Sequence, residues 1–205
     1  MSLADPRPTA HVVDDDAAIR DALSWLLASR GVPARTWASA EAFLAGWQAE
    51  MRGCLVLDVR MGGMSGIELF DRLQALGCGL PVLFLTGHGD VPLAVSALKK
   101  GAFDFVEKPF NDNQLVDRVL EAIRQGEQRR QEREAAEGIS ARLAQLTSRE
   151  REVMERVARG DPNKAIADEL DIALRTVEVH RSRVFEKMSV RSAVELARLL
   201  AQIGR

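Results

Sequence analysis

The chain has 205 residues, with 28 Lys and Arg against 30 Asp and Glu and a net charge of −2, a near-neutral balance that by itself points to no nucleic-acid partner. Two cysteines exclude a disulfide framework and fit a reducing compartment. No run of residues is apolar enough to span a membrane and Met1 to Pro8 lacks a signal-peptide core, so a cytoplasmic chain of one or two domains with no membrane partner is expected.

Residues 1–9, with Pro6 and Pro8, read as a disordered lead. Ala10 to Val13 is a short apolar strand that runs into Asp14-Asp15-Asp16, where Asp16 suits a helix cap or a solvated charge. Ile19, Leu23, Leu26 and Leu27 form a helical stripe that stops before Gly31. Ala34 to Trp37 is a second strand, and Ser39 could cap a helix holding Phe43, Leu44 and Trp47. Cys54-Leu55-Val56-Leu57 then runs straight into Asp58, a pattern that suits a strand buried on both faces of a parallel sheet. A glycine-rich loop, Val59 to Gly66, precedes a helix from about Ser65 to Leu76.

Pro81 to Leu85 leads into Thr86, and Asp90 is expected to cap a helix from Val91 to Lys100. His88, beside two glycines, reads as a solvated residue. Phe103 to Glu107 leads into Lys108. Asn111 or Asp112 opens a further helix with a stripe of Leu115, Val116, Val119, Leu120 and Ile123. From Arg124 to Glu137 apolar residues vanish, so this stretch reads as a solvated helical linker ending at Gly138, without the apolar seam of a coiled coil.

Ligands of open α/β sheets sit beyond the carboxyl ends of the strands. If the strands are parallel neighbours, Asp14, Asp15, Asp58, Thr86 and Lys108 converge on one edge. Clustered carboxylates are costly without a cation, and a hard divalent ion such as Mg²⁺ prefers oxygen ligands. A carboxylate beside a metal and an ammonium can attack phosphorus, with Lys108 spreading the phosphoryl charge and Thr86 donating to a phosphoryl oxygen.

The chain starts afresh at Leu146. Thr147 and Glu150 form a capping-box pattern ahead of Val153, Met154 and Val157. Asn163 could cap a short helix with Ile166, Ala167 and Leu170, and Arg175 to Met188 is a longer helix followed by another from about Ser192 to Ile203. Two helices joined by a few residues, the second one basic, suggest a helix-turn-helix. Val177, Val184 and Met188 mark the buried side, leaving Glu178, Val179, Arg181 and Ser182 able to face a major groove, with Thr176, Arg183 and Lys187 placed for phosphates. His180 reads as structural. Charge alone decides little, since residues 1–125 carry 12 basic against 16 acidic side chains and residues 126–205 carry 16 against 14.

The ordered set Asp14, Asp15, Asp58, Thr86 and Lys108-Pro109 resembles the receiver domain of two-component response regulators. The run Thr86-Gly-His-Gly-Asp-Val-Pro and Lys108-Pro-Phe is similar to the FixJ type of receiver. Leu146-Thr-x-Arg-Glu, Asn163-Lys164-x-Ile-Ala and Arg175-Thr-Val-Glu-Val-His-Arg resemble the LuxR-type DNA-binding domain, and together the two place the chain near the NarL/FixJ class. The resemblance implies that Asp58 accepts a phosphoryl group. It implies that Asp15 and Asp58 ligate Mg²⁺ with help from Asp14 and the backbone carbonyl of Arg60, and that Phe105 reorients with Thr86. It also implies a cis Lys108-Pro109 bond and DNA contacts from Lys164, Arg175, Thr176, Glu178, Val179, Arg181, Ser182, Arg183 and Lys187. The receiver pattern usually has a proline where Gly62 stands, and that departure is expected to loosen the loop.

The expected architecture is a five-stranded parallel, doubly wound, flavodoxin-like α/β receiver domain over residues 9–125, a charged helical linker over 126–141, and a small all-α helix-turn-helix domain over 142–205. The expected function is a transcription factor, not an enzyme: a sensor histidine kinase phosphorylates Asp58, and the chain then forms a homodimer on double-stranded promoter DNA and engages RNA polymerase. Rival readings are a phosphatase or phosphotransferase using the same acidic pocket, and a DNA-binding protein with a vestigial receiver. An RNA-binding output is disfavoured, because Phe185 is the only aromatic in residues 140–205.

Overall fold

A computed structural model describes residues 7–87 and 91–202. His88, Asp90 and Ile203 lie outside them, and with them the cap expected at Asp90. The chain divides into two compact units, Met1–Arg130 and Gln131–Arg205.

In the first unit, strands alternate with helices: β1 (Thr9–Val13), α1 (Ala17–Ser29), β2 (Ala34–Trp37), α2 (Ala40–Gly46), β3 (Gly53–Asp58), α3 (Gly66–Ala75), β4 (Val82–Thr86), α4 (Val91–Lys99) and β5 (Asp104–Glu107), followed by α5 (Asp112–Ala144). The strands form one parallel sheet in the order β2-β1-β3-β4-β5. Thr9 already pairs in β1, so the lead ends one residue earlier than its composition suggests. Every residue of β3 and β4 is buried, as their unbroken apolar runs require.

Alternation along the strands builds a core on each face. Val12, Cys54, Val56, Leu83 and Leu85 pack with Leu23 and Leu27 of α1 and Leu115, Val116 and Val119 of α5. Leu55, Leu57 and Phe84 face the other way, onto Phe43 of α2, Leu69, Phe70 and Leu73 of α3 and Ala97 of α4. This is the doubly wound, flavodoxin-like arrangement. Local signals set the helix starts. Asp16 accepts from the Ala18 N–H, Ser39 from Ala42, and Asn111 Oδ1 from the Asn113 and Gln114 N–H groups. The Lys108-Pro109 bond is cis.

The main departure from expectation concerns α5. It continues through Gly126 and Gly138 to Ala144, so Gly138 does not end it. The segment from Gly126 is also not simply solvated. A Cβ at Gly126 would lie 2.9 Å from Pro81 Cδ and 3.0 Å from the Gly53 carbonyl oxygen, so the glycine lets the helix pass close to the sheet. Beside it, the Glu127 carboxylate pairs with Arg52 and with Arg130. Gly138 meets nothing within 4 Å, and a lone glycine costs a packed helix only about 1 kcal/mol.

In the second unit, α6 (Ser148–Arg159), α7 (Asn163–Leu170), α8 (Leu174–Met188) and α9 (Ala193–Ala201) enclose a core of Val153, Val157, Ile166, Val177, Val184, Met188 and Leu196, joined by Ile139 and Leu143 of α5. The Thr147–Glu150 capping box forms, and Ser192 caps α9. Asn163 does not cap α7. Pro162 holds that position, and Asn163 Oδ1 instead accepts from Arg181 Nη1 at 2.8 Å. Asp171, in the left-handed region at φ 51°, closes α7 and makes the turn into α8.

A buried histidine gives the first unit a pH dependence. His11 is 5% exposed and packs against the Trp37 and Phe43 rings, and burial lowers its pKa from 6.5 to about 4. Between those values the unfolded chain takes up a proton that the folded chain refuses, so stability is full above pH 6.5 and falls as the pH drops toward 4. Denaturant unfolding followed by tryptophan fluorescence should show wild type losing about 2–3 kcal/mol more than His11→Leu between neutral pH and pH ~4.5.

Candidate functional site

The sheet delivers the polar strand ends to one place. Val13 pairs with Leu57 and Asp58 with Leu85, so Asp14, Asp58 and Thr86 emerge side by side, and Thr86 pairs with Glu107 just before Lys108. The Lys108 N–H donates to the Thr86 carbonyl at 2.7 Å. Lys108 Nζ lies 2.9 Å from Asp58 Oδ1 and 3.0 Å from Asp14 Oδ2. Asp14 and Asp58 are buried, whereas Asp15 is exposed. One carboxylate oxygen from each of the three lies within 4.8 Å of the others. The donors are all oxygens, a set that fits a hard divalent cation such as Mg²⁺.

The electrostatics follow from burial. Desolvation raises the Asp58 pKa; Lys108 pulls it down by hydrogen bond and charge, Asp14 and Asp15 push it up, and the balance stays raised. For Lys108, burial opposes the ammonium, but its bonds to Asp58 and Asp14 outweigh burial and raise its pKa. Thr86 is fully buried and its hydroxyl has no hydrogen-bond partner among the described residues. Phe105 is half-buried against the core that holds Leu57 and Phe84.

The loop after β3 is tied at several points. The Val59 N–H donates to the Leu85 carbonyl and Gly66 N–H to the Val59 carbonyl, each at 3.0 Å. The Met64 N–H donates to Glu41 Oε1 and the Gly62 N–H to Asp15 Oδ2, each at 2.9 Å. Arg60, whose carbonyl the resemblance assigns to the metal, lies inside this braced segment.

On α8, Arg175, Thr176, Glu178, Val179, Ser182 and Arg183 are exposed, as is Lys164 on α7. The other two expected DNA contacts have internal partners. Arg181 bonds Asn163 and sits over the Phe185 ring at 5.2 Å. Lys187 Nζ lies 2.6 Å from Glu150 Oε2, and Glu150 is 2% exposed, so this ammonium neutralises a buried carboxylate. Sequence reading passed over two further features. Ala173 at the N-cap of α8 offers no side-chain acceptor to the first-turn N–H groups, and Leu174 is 48% exposed beside it. The uncapped turn was readable in the alanine itself; the exposure of Leu174 required the packing.

A sequence model of the response regulator receiver domain matches residues 10–120, and one of the luxR family of bacterial regulatory proteins matches residues 144–200. The chain is 57% identical over 193 residues to the C4-dicarboxylate transport transcriptional regulatory protein DctR of Rhodobacter capsulatus, covering 93% of this chain and 98% of that one. It belongs to the NarL/FixJ class of response regulators. The transcriptional regulatory protein FixJ of Bradyrhizobium diazoefficiens is 48% identical over 194 residues, covering 95% of each chain. Among solved structures, the response regulator StyR superposes with a TM-score of 0.88 at 43% identity, covering 96% of this chain and 99% of that one. Full-length FixJ from B. japonicum gives 0.60 at 47% identity, covering 97% and 98%. This response regulator is a transcription factor of a two-component system: its receiver implies a sensor kinase partner and its LuxR-type domain implies DNA binding. No helix among the described residues is long and apolar enough to cross a membrane.

Two substitutions separate structural from functional roles. Lys187→Ala strands the buried Glu150 and should cost about 1–3 kcal/mol in the melting of α6–α9, read by far-ultraviolet dichroism, whereas Arg183→Ala should leave that melt in place. Thr86→Val replaces an unpartnered buried hydroxyl with a methyl of similar size, so thermal stability should hold or rise by up to about 1 kcal/mol.

Proposed function

We propose that Asp58 is the phosphoacceptor of this response regulator, and that its phosphorylation switches dimerisation and promoter binding. The observation that carries this is the Asp58 carboxylate, buried at a strand end and held 2.9 Å from the Lys108 ammonium within reach of Asp14 and Asp15. A carboxylate oxygen of Asp58 bonds to phosphorus as the bond from phosphorus to the kinase's histidine nitrogen breaks. Asp14, Asp15, Asp58 and the Arg60 carbonyl would hold Mg²⁺, which supplies charge neutralisation for phosphoryl oxygens when bound. Lys108, already set against the carboxylate, neutralises charge on the transferred group from the protein side.

The Thr86 hydroxyl is the reporter of the event. Buried without a partner among the described residues, it gains one when a phosphoryl oxygen arrives on the neighbouring strand. Phe105, one residue along β5 from the Thr86 partner Glu107's neighbour Val106, moves in concert and alters the face made by α4, β5 and α5. Val95 on α4, two residues from the buried Ala97 and so on the outer side of the helix, is 40% exposed, which supports α4 as part of the homodimer surface. Two linked DNA-binding units then gain effective concentration on a two-fold site of double-stranded DNA.

On α8, the exposed Glu178, Val179 and Ser182 are the base-reading candidates, with Lys164, Arg175, Thr176, Arg183 and the uncapped first turn on phosphates. Arg181 reads bases only if it leaves Asn163, and Lys187 serves the fold. The protein works in the cytoplasm, alongside RNA polymerase.

Solution mass and promoter-length DNA affinity should be measured with Mg²⁺ and beryllofluoride, a phosphoryl mimic. Wild type should dimerise and bind DNA at least about tenfold more tightly, and Asp58→Asn should ignore the mimic. Equal DNA binding in all samples would show that the receiver does not control output.

A further inference from the structure

We infer that the Gly62 backbone N–H is a positioning group for the divalent-cation site, holding the Asp15 carboxylate in its ligating place before the ion arrives. This rests on the reading that the acidic cluster takes Mg²⁺. Of the three carboxylates, two are fixed by their surroundings. Asp14 is buried, accepts from the Asp16 N–H at 2.9 Å and faces Lys108; Asp58 is buried and faces the same ammonium. Asp15 is the exposed member, and the Gly62 N–H reaches its Oδ2 at 2.9 Å.

The bond is not needed to place the loop. Met64 is held by Glu41 and Gly66 by Val59, on the far side of Gly62 and independently of Asp15. Its effect therefore falls on the side chain. An exposed carboxylate that ligates an ion must give up its rotamer freedom, and a group fixed beforehand gives up less. Accepting one N–H leaves Oδ2 a second lone pair and leaves Oδ1 whole, so the bond orients the ligand without consuming it.

The residue type at this position decides whether the bond exists. The receiver pattern usually carries proline where Gly62 stands, and proline has no N–H. A Cβ at Gly62 would lie 3.6 Å from Asp15 Oδ2, an ordinary contact, and the residue is outside the left-handed region, so alanine fits and keeps the donor. Glycine and alanine thus share the proposed function and proline lacks it.

The test is calorimetric titration of the full chain with MgCl₂ for wild type, Gly62→Ala and Gly62→Pro, together with amide hydrogen exchange at Gly62 without metal in wild type and Asp15→Ala. The expected result is that alanine binds Mg²⁺ within about twofold of wild type and proline about three- to tenfold more weakly at an unchanged melting temperature. The Gly62 amide should exchange faster in Asp15→Ala. Equal affinity for proline and wild type, equal weakening by alanine and proline, or exchange at Gly62 that ignores Asp15 would each overturn the inference. The wild-type titration alone judges the cation reading: if wild type takes up no Mg²⁺, both fall.

Discussion

Lys108 sets its ammonium between Asp14 and Asp58, and the working edge of the receiver depends on that contact. Two carboxylates taken from water at the ends of adjacent strands would repel each other and resist ionisation. One cation answers both, at 3.0 and 2.9 Å, yet leaves the trio with Asp15 carrying more negative charge than positive. That residual imbalance suits the site to a divalent ion, while burial first, and the neighbouring Asp14 and Asp15 after it, keep the Asp58 pKa raised. The sheet order is the precondition. Only with β3 flanked by β1 and β4, and β5 beyond β4, do side chains from residues 14, 58, 86 and 108 meet.

Much of this was readable from the sequence, because buried parallel strands leave a strong trace. An unbroken apolar run that stops at a polar residue fixes both the strand and the end at which its side chain emerges, as at Asp58 and Thr86. Helix caps with short polar side chains were readable for the same reason: Asp16, Ser39, Thr147 and Ser192 bond groups two or three residues away. What failed to show were interactions between residues far apart. The charged run from Gly126 looked solvated because Arg52, which pairs with Glu127, lies in another part of the sequence. Lys187 and Arg181 looked free on a helical wheel for the same reason, since Glu150 and Asn163 sit on neighbouring helices.

The second unit solves a different problem with similar means. It is small, and its core is built from single faces of short helices, so the places where helices end and meet carry much of its order. Glu150 serves twice there, closing the capping box of α6 and taking the Lys187 ammonium of α8. Polar groups of α8 are committed inward in this way. The exposed side chains of that helix therefore include fewer of its basic residues than its composition suggests, alongside Glu178, Val179 and Ser182.

The aromatic residues are distributed unevenly between the units. There is no tyrosine, and all three tryptophans, Trp25, Trp37 and Trp47, belong to the receiver: the first lies 76% exposed on α1, the second is packed against His11 and Phe43. The DNA-binding unit has Phe185 alone. In optical terms the halves differ: tryptophan absorption and emission belong wholly to the α/β half. The helical half is silent in that band, and its melting is visible only through the amide backbone. Any comparison of the two signals therefore measures directly whether the halves unfold together or apart.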